Sequence, residues 1–277
     1  MATAPDHSAH AHAPSEAEVP PEPAAGRGAA IFDLDRTLMA GSSGFHWARA
    51  AAGAGLISKR QLASDAAQNL RFRLRGSTDA STDKVIARVG EMLAGRRVAE
   101  FQRLAPQVLA SVLPRMYPQM LRIAWEHQDA GRRVYIATAA SQDTADVIAH
   151  VLSFDGAIGT PIEQVDGLYT GKLSGPMTYR EGKATALREL AASQDIDLAA
   201  SYGYSDSESD LPMLRAVGHP VAVNPDAELA RIAGAEGWEI LRFETLGRRI
   251  KALGAVAVVA LAGGAGRSIA VRHLAAR

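Results

Sequence analysis

The run Ile31-Phe32-Asp33-Leu34-Asp35-Arg36-Thr37-Leu38 constrains this chain more than any other stretch. It follows a small-residue entry, Gly28-Ala29-Ala30, and opens with the first convincing apolar strand. Alternate strand residues share a face, so Asp33 and Asp35 are expected to leave the carboxyl end of that strand pointing the same way. Two neighbouring carboxylates repel, and either one takes up a proton or a cation sits between them. Thr37 adds a hydroxyl able to lock the loop onto backbone or carboxylate. The plainer alternative is a solvated strand end with two chance acids; the later motifs weigh against it.

With 277 residues the chain can bury a full core as one large domain, or as a domain with an insertion. Lysine plus arginine balance aspartate plus glutamate at 30 each, so no basic excess points to nucleic acid. The absence of cysteine excludes disulfides, thiolate catalysis and thiolate metal sites, which fits a cytoplasmic protein.

Residues 1–28 are rich in Ala, Pro, Glu and His without apolar periodicity, and read as a disordered tail. His7, His10 and His12 could bind a metal weakly, but a solvated tail is the preferred reading. At the other end, residues 252–266 carry no charge. Such a segment would make a helix of about 22 Å, short of the roughly 30 Å of a bilayer core. It reads as a peripheral membrane contact, a docking helix or a loose tail.

Between these tails the pattern divides. From Phe45 to Leu113 it is helical, with helices expected near 44–52, 58–75, 81–94 and 97–113. So long a helical block straight after a first strand looks inserted. Alternation then begins. A helix from Pro118 to Ala130 stops at Gly131, a strand covers 133–138, and a helix covers 142–152. A short strand and a hairpin turning at Asp166-Gly167 fill 157–173. Helices at 181–193, 208–216 and 226–234 alternate with strands at 200–204, 220–223 and 238–242. Such units build a parallel sheet covered on both faces, with ligands beyond the carboxyl ends of its strands. Asp33, Thr138 and Asp206 all fall at such ends.

Three further motifs join the first. Thr138 ends a strand in small residues and hydroxyls, and with free helix-start N–H groups could hold a phosphate oxygen. Lys183 opens a helix, where the dipole disfavours a cation; among only five lysines, it needs another reason to be there. A compact ammonium suits a contact to phosphate and carboxylate together. Asp206 and Asp210, in Tyr204-Ser205-Asp206-Ser207-Glu208-Ser209-Asp210, flank a strand-to-helix turn at a spacing suited to a hard cation. An acidic N-terminal helix turn complementing the macrodipole is the alternative there, above all for Glu208.

In this order, Asp-x-Asp-x-Thr, a strand-end Thr, a helix-start Lys and Asp-xxx-Asp resemble the haloacid dehalogenase (HAD) superfamily. The Phe32–Leu38 wording and the hairpin before Lys183 resemble its phosphoserine-phosphatase-like HAD-IB branch. The resemblance covers about residues 29–243. It implies an α/β fold: a three-layer, Rossmann-like parallel sheet core (29–40 and 115–245), an all-helical type-one cap (41–114) and an apolar C-terminal tail (246–277). It also implies a Mg²⁺-dependent phosphatase of small phosphorylated metabolites, working through an aspartyl-phosphate. Asp33 would be the nucleophile and Asp35 the general acid and base. Asp33, Asp35 and Asp206 would hold Mg²⁺ with Asp210 in support, and Thr138 and Lys183 would neutralise the phosphoryl oxygens.

The chain also departs from the pattern. Arg36 stands where many superfamily members have Gly, and Tyr204 where a supporting acid is common. No acid occurs between Arg36 and Ser64, so the cap-entry glutamate that meets the amino group of phosphoserine has no counterpart. A phosphorylated polyol, sugar or lipid-like headgroup is expected to suit this entrance better than an amino acid. The competing expectation is a phosphorylation-dependent signalling or binding protein of the same fold with little hydrolytic activity.

Overall fold

The computed structural model describes residues 27–58 and 87–243. The first half runs β1 (Ala29–Phe32), α1 (Ser43–Gly53), a helical stretch over 87–93, α2 (Val98–Gln102), α3 (Ala105–Val112) and α4 (Pro118–Asp129). Then come β2 (Arg133–Ser141), α5 (Gln142–Val151), β3 (Gly156–Thr160), β4 (Ile162–Val165) and β5 (Leu168–Leu173). The last part is α6 (Glu181–Ser193), β6 (Tyr202–Ser205), α7 (Leu211–Leu214), β7 (His219–Val223), α8 (Ala227–Glu236) and β8 (Glu239–Leu241).

Six strands form one sheet in the order β3-β2-β1-β6-β7-β8, and every pairing in it is parallel. The chain builds outward from β1 on one side, then crosses to build outward on the other. That reversal opens a crevice at the carboxyl end of β1. The four residues of β1 are fully buried and feed both faces alternately. Ala30 and Phe32 join Ile136, Val223, Met120 of α4 and Ile148 of α5. Ala29 and Ile31 join Ala137, Leu187 of α6, Met213 of α7 and Leu229 of α8. Helix–sheet–helix layering is the expected three-layer architecture. The expected hairpin is present too, with positive φ at Asp166 (50°) and Gly167 (74°) as a two-residue primed turn requires.

The helical block leaves and re-enters through paired segments. Ala40 N–H donates to the Arg115 carbonyl (2.8 Å) and Tyr117 N–H to that of Leu38 (2.8 Å). The expected helix over 97–113 is broken into α2 and α3. Pro106 lies in the first turn of α3, where its ring blocks continuation from the preceding turn. Apolar residues of this block, including Ala51, Phe101, Val108 and Val112, share one buried cluster with the sheet face that carries Phe32. The β4–β5 hairpin ties on by backbone: Gly95 N–H donates to the Tyr169 carbonyl (2.8 Å), Tyr169 N–H to that of Arg96 (2.9 Å) and Val98 N–H to that of Gly167 (2.9 Å). The expected helix 58–75, most of 81–94, the His-containing tail and the 252–266 run lie outside the described residues. Among the described residues no helix is long and apolar enough to cross a membrane.

One buried network gives the fold a pH dependence. The Phe32 ring stacks on Tyr204 (centroids 4.4 Å apart), and His127 of α4 meets the Tyr204 hydroxyl at 2.8 Å. Arg132 Nε donates to His127 Nδ1 (2.7 Å), so Nδ1 must keep its lone pair and Nε2 carries the proton toward Tyr204. Burial, with the Arg132 charge behind it, holds the His127 pKa down to about 4. An unfolded chain takes up that proton below about pH 6.5. Between those values the unfolded state binds more protons, so stability falls as pH falls from about 6.5 toward 4, by at most about 3 kcal/mol. Urea unfolding at pH 7.5 and 5 should show this loss, and His127→Gln should flatten it; an unchanged pH slope in that variant would assign the loss elsewhere.

Candidate active site

Strand β1 ends at Phe32, but Asp33 N–H still donates to the Tyr204 carbonyl of β6 (2.9 Å). The chain then folds back: Arg36 N–H reaches the Met39 carbonyl (2.7 Å), and the amides of Leu38 and Met39 reach that of Leu34 (3.1 and 3.0 Å). Arg36 sits at φ 68°, a left-handed position that costs a non-glycine residue and that Gly would fill freely. Asp35 therefore lies in a tight loop, and strand alternation is not what sets its direction. Its Oδ1 accepts a hydrogen bond from Ser43 N–H at the start of α1 (2.8 Å). Thr37, expected to lock the loop, is buried with its hydroxyl unpartnered among the described residues; backbone bonds close the loop instead.

Lys183 is 2% exposed in the first turn of α6. That turn packs so closely on the Met177 carbonyl that a Cβ on Gly182 would lie 2.1 Å from its oxygen, so glycine is required there. The Lys183 ammonium lies 2.9 Å from Asp33 Oδ1 and 2.8 Å from Asp210 Oδ2. Ser205 Oγ, at the end of β6, donates to the same Asp210 oxygen (2.7 Å). Burial works against the Lys183 charge, but Asp210 and Asp33 outweigh it and raise its pKa. Burial pushes the Asp33 carboxyl upward, Lys183 opposes that, and Asp210 adds to it. The cation at this helix start, unfavourable for the dipole, is explained by two carboxylates facing it.

Asp206 is also buried, and Arg36 Nη2 lies 2.6 Å from its Oδ2. Desolvation raises its pKa well above the ordinary value; Arg36 lowers it, and Asp33, Asp210 and Asp226 raise it further. Glu208 and Asp210 do fall in the first turn after β6, as the macrodipole alternative expects, but Asp210 also faces Lys183 and neither acid caps that turn. Ser207 caps the short turn at Glu208–Asp210, and Asp210 makes no side-chain cap bond. Asp226 caps α8 and also accepts from Glu208 N–H (3.0 Å), which fixes the loop after Asp206.

Thr138 is 2% exposed near the carboxyl end of β2. The register Phe32↔Ile136 puts it beside the loop carrying Asp33 and Asp35. Its Oγ1 accepts from Ala140 N–H (3.2 Å), a bond that leaves the hydroxyl hydrogen uncommitted. Ser141, not Thr138, caps α5.

The site thus joins four carboxylates, Asp33, Asp35, Asp206 and Asp210, with two paired cations, Lys183 and Arg36. With all four ionised, two negative charges are left over, which one divalent cation would balance; without one, burial pushes Asp33 and Asp206 toward their neutral forms. Among the described residues, no three acidic or imidazole side chains converge as a closed metal cage. Mg²⁺ does not need one, since it takes one or two carboxylates and fills its octahedron with carbonyls and waters. The donor types fit that ion, and Asp206 Oδ2 is at present paired with Arg36. Asp210 is committed to Lys183 and Ser205.

Arg36 and Ser205 were not legible as partners. A buried serine ending an apolar strand was the available signal for Ser205; a non-glycine residue in so tight a loop was the signal for Arg36.

The haloacid dehalogenase-like hydrolase family matches residues 30–215, which includes every one of these side chains. The chain belongs to that family. Phosphoserine phosphatase SerB1 of Mycobacterium tuberculosis (strain ATCC 25618 / H37Rv) is 36% identical over 250 residues, covering 88% of this chain and 80% of that protein. Histidinol-phosphatase of Neisseria meningitidis serogroup C (strain 8013) is 32% identical over 225 residues, covering 78% and 98%. A solved structure of a Bordetella pertussis Tohama I protein of unknown function superposes with a TM-score of 0.70 at 29% identity, covering 78% of this chain and 98% of that one. This chain is accordingly a haloacid dehalogenase-like phosphatase with the α/β fold of that family.

Proposed function

We propose that this haloacid dehalogenase-like protein hydrolyses a small phosphate monoester through an aspartyl-phosphate on Asp33, with Mg²⁺, and is not specific for phosphoserine. The observation that carries the reading is the buried chain Asp33–Lys183–Asp210–Ser205 with Asp206 beside it, at the carboxyl end of β1.

Asp33 attacks phosphorus, the P–O bond to the leaving alcohol breaks, and Asp35 gives that oxygen its proton. Asp35 Oδ1 is held by Ser43 N–H, so Oδ2 is the oxygen placed to transfer it. Asp35 then takes a proton from water as that water attacks the phosphoryl group. Phosphate departs and the Asp33 carboxylate is restored. Lys183 and Thr138 hold the phosphoryl oxygens during both displacements. Asp33, the Asp35 carbonyl and Asp206 would hold Mg²⁺, with Asp210 supporting; when bound, the ion supplies charge neutralisation at the phosphoryl group.

The two named relatives, one called a phosphoserine phosphatase and the other a histidinol-phosphatase, are comparably similar to this chain. Likeness therefore does not choose between their substrates. Asp206→Ala should raise the half-saturating Mg²⁺ concentration more than about tenfold, because it removes a charged ligand from a site with few others. Asp210→Ala should shift it less, since its oxygens face Lys183 and Ser205. Mg²⁺ titration of phosphatase activity tests both; identical titrations for wild type and Asp206→Ala would overturn the metal assignment.

A further inference from the structure

The start of α1 carries buried polar groups that no described residue satisfies. Among the described residues, Ser43 Oγ, His46 Nδ1 and Trp47 Nε1 all lack a hydrogen-bond partner. Ser43 is 0% and His46 5% exposed. Spacings of three and four residues place these side chains on one helix face. An unpaired buried polar group costs about 1–3 kcal/mol, so three on one face are a heavy penalty for a helix turn to carry without return. The same turn is fastened to the chemistry, because Ser43 N–H is the donor that holds Asp35 Oδ1. Asp35 is therefore hydrogen-bonded to the turn that carries the unpartnered groups.

We infer that Ser43 and His46 form the leaving-group subsite of this enzyme, and that they recognise neutral hydroxyl groups next to the phosphoester, as in a polyol or sugar phosphate. This rests on the hydrolytic reading above and names its substrate class. A serine hydroxyl donates and accepts, and so does a neutral imidazole through its two nitrogens; both match a substrate hydroxyl. The first turn of α1 contains no acid. The charges that bear on His46 are Arg115 and Arg49, with Asp35 the weaker opposing one, and burial and the two arginines keep it neutral. That setting disfavours an ammonium and leaves hydroxyl recognition as the use for the orphaned atoms.

Binding to the Asp33→Asn protein separates recognition from turnover. Calorimetric titration would compare glycerol 3-phosphate, ribose 5-phosphate, O-phosphoserine and inorganic phosphate with Mg²⁺ present. Adding Ser43→Ala or His46→Phe should lower the affinity for the two hydroxylated esters, relative to inorganic phosphate, by about tenfold each, the worth of one good hydrogen bond. His46→Asn, whose amide can stand near the Nδ1 position, should restore most of the loss, which a packing role would not predict. Two ester arms distinguish polyol from sugar. Unchanged affinity ratios in both variants, or tighter binding of phosphoserine than of either hydroxylated ester, would overturn the inference. Asp33-dependent hydrolysis of p-nitrophenyl phosphate by the wild type tests the hydrolytic reading separately; its absence would sink that reading whatever the binding ratios show.

Discussion

Asp33→Asn protein is expected to fold as the wild type does and to lose at least about a thousandfold in turnover, on the scale seen when a covalent nucleophile is removed. The amide has the carboxylate's shape, so packing around the buried side chain is preserved. What it lacks is the charge and nucleophilicity to attack phosphorus. Stability should change little or rise. Burial already pushes the Asp33 carboxyl toward its neutral form, so the charged state is carried at a cost. Lys183 retains Asp210 as a partner in the variant. Circular dichroism melts and phosphatase assays with Mg²⁺ read both quantities. A folded variant keeping a tenth of wild-type activity would place the nucleophile elsewhere.

The Lys183→Met variant should lose both activity and stability. Two buried carboxylates, Asp33 and Asp210, would face each other's charge without the ammonium between them. Breaking a buried pair from one side costs about 3–5 kcal/mol, because the remaining charge is left uncompensated. The deficit has a pH signature. Without Lys183 the folded variant holds the Asp33 carboxyl at a raised pKa, so it binds more protons than its unfolded chain and gains stability as pH falls. The gap between variant and wild type should therefore be larger at pH 8 than at pH 5 in metal-free urea unfolding. A pH-independent gap, or a gap under about 1 kcal/mol, would mean that the ammonium does not carry the charge balance assigned to it here.

The resemblance seen in the motifs leads to the family that the comparisons show, and the alternation after Pro118 led to the three-layer sheet. The exact match of the helix at 181–193 and the turn at Asp166-Gly167 has a local cause: glycine, proline and apolar period act through neighbours in the chain. Features whose cause is not local leave a weaker trace in the sequence. Pro106 ends the continuous 97–113 pattern between α2 and α3, since its ring excludes an unbroken helix there. Nothing in a linear pattern indicated that the inserted helices would share a buried cluster with Phe32, because that depends on how the entry and exit segments pair.

The same division runs through the site. Residue type and place in the strand–helix pattern by themselves singled out Asp33, Thr138, Lys183, Asp206 and Asp210 as candidates, because a parallel sheet delivers its strand ends and the helix starts that follow them to one edge. Only the tertiary structure decided who faces whom. Lys183 lies between Asp33 and Asp210, Arg36 reaches Asp206 from a left-handed turn, and Ser43 holds Asp35 from the first helix of the insertion. These partners stand 8 to 170 residues apart in the chain, from Ser43–Asp35 to Arg36–Asp206. No periodicity encodes such contacts. They follow from the order in which strands cross the sheet and from the burial that forces each charge to find a counter-charge.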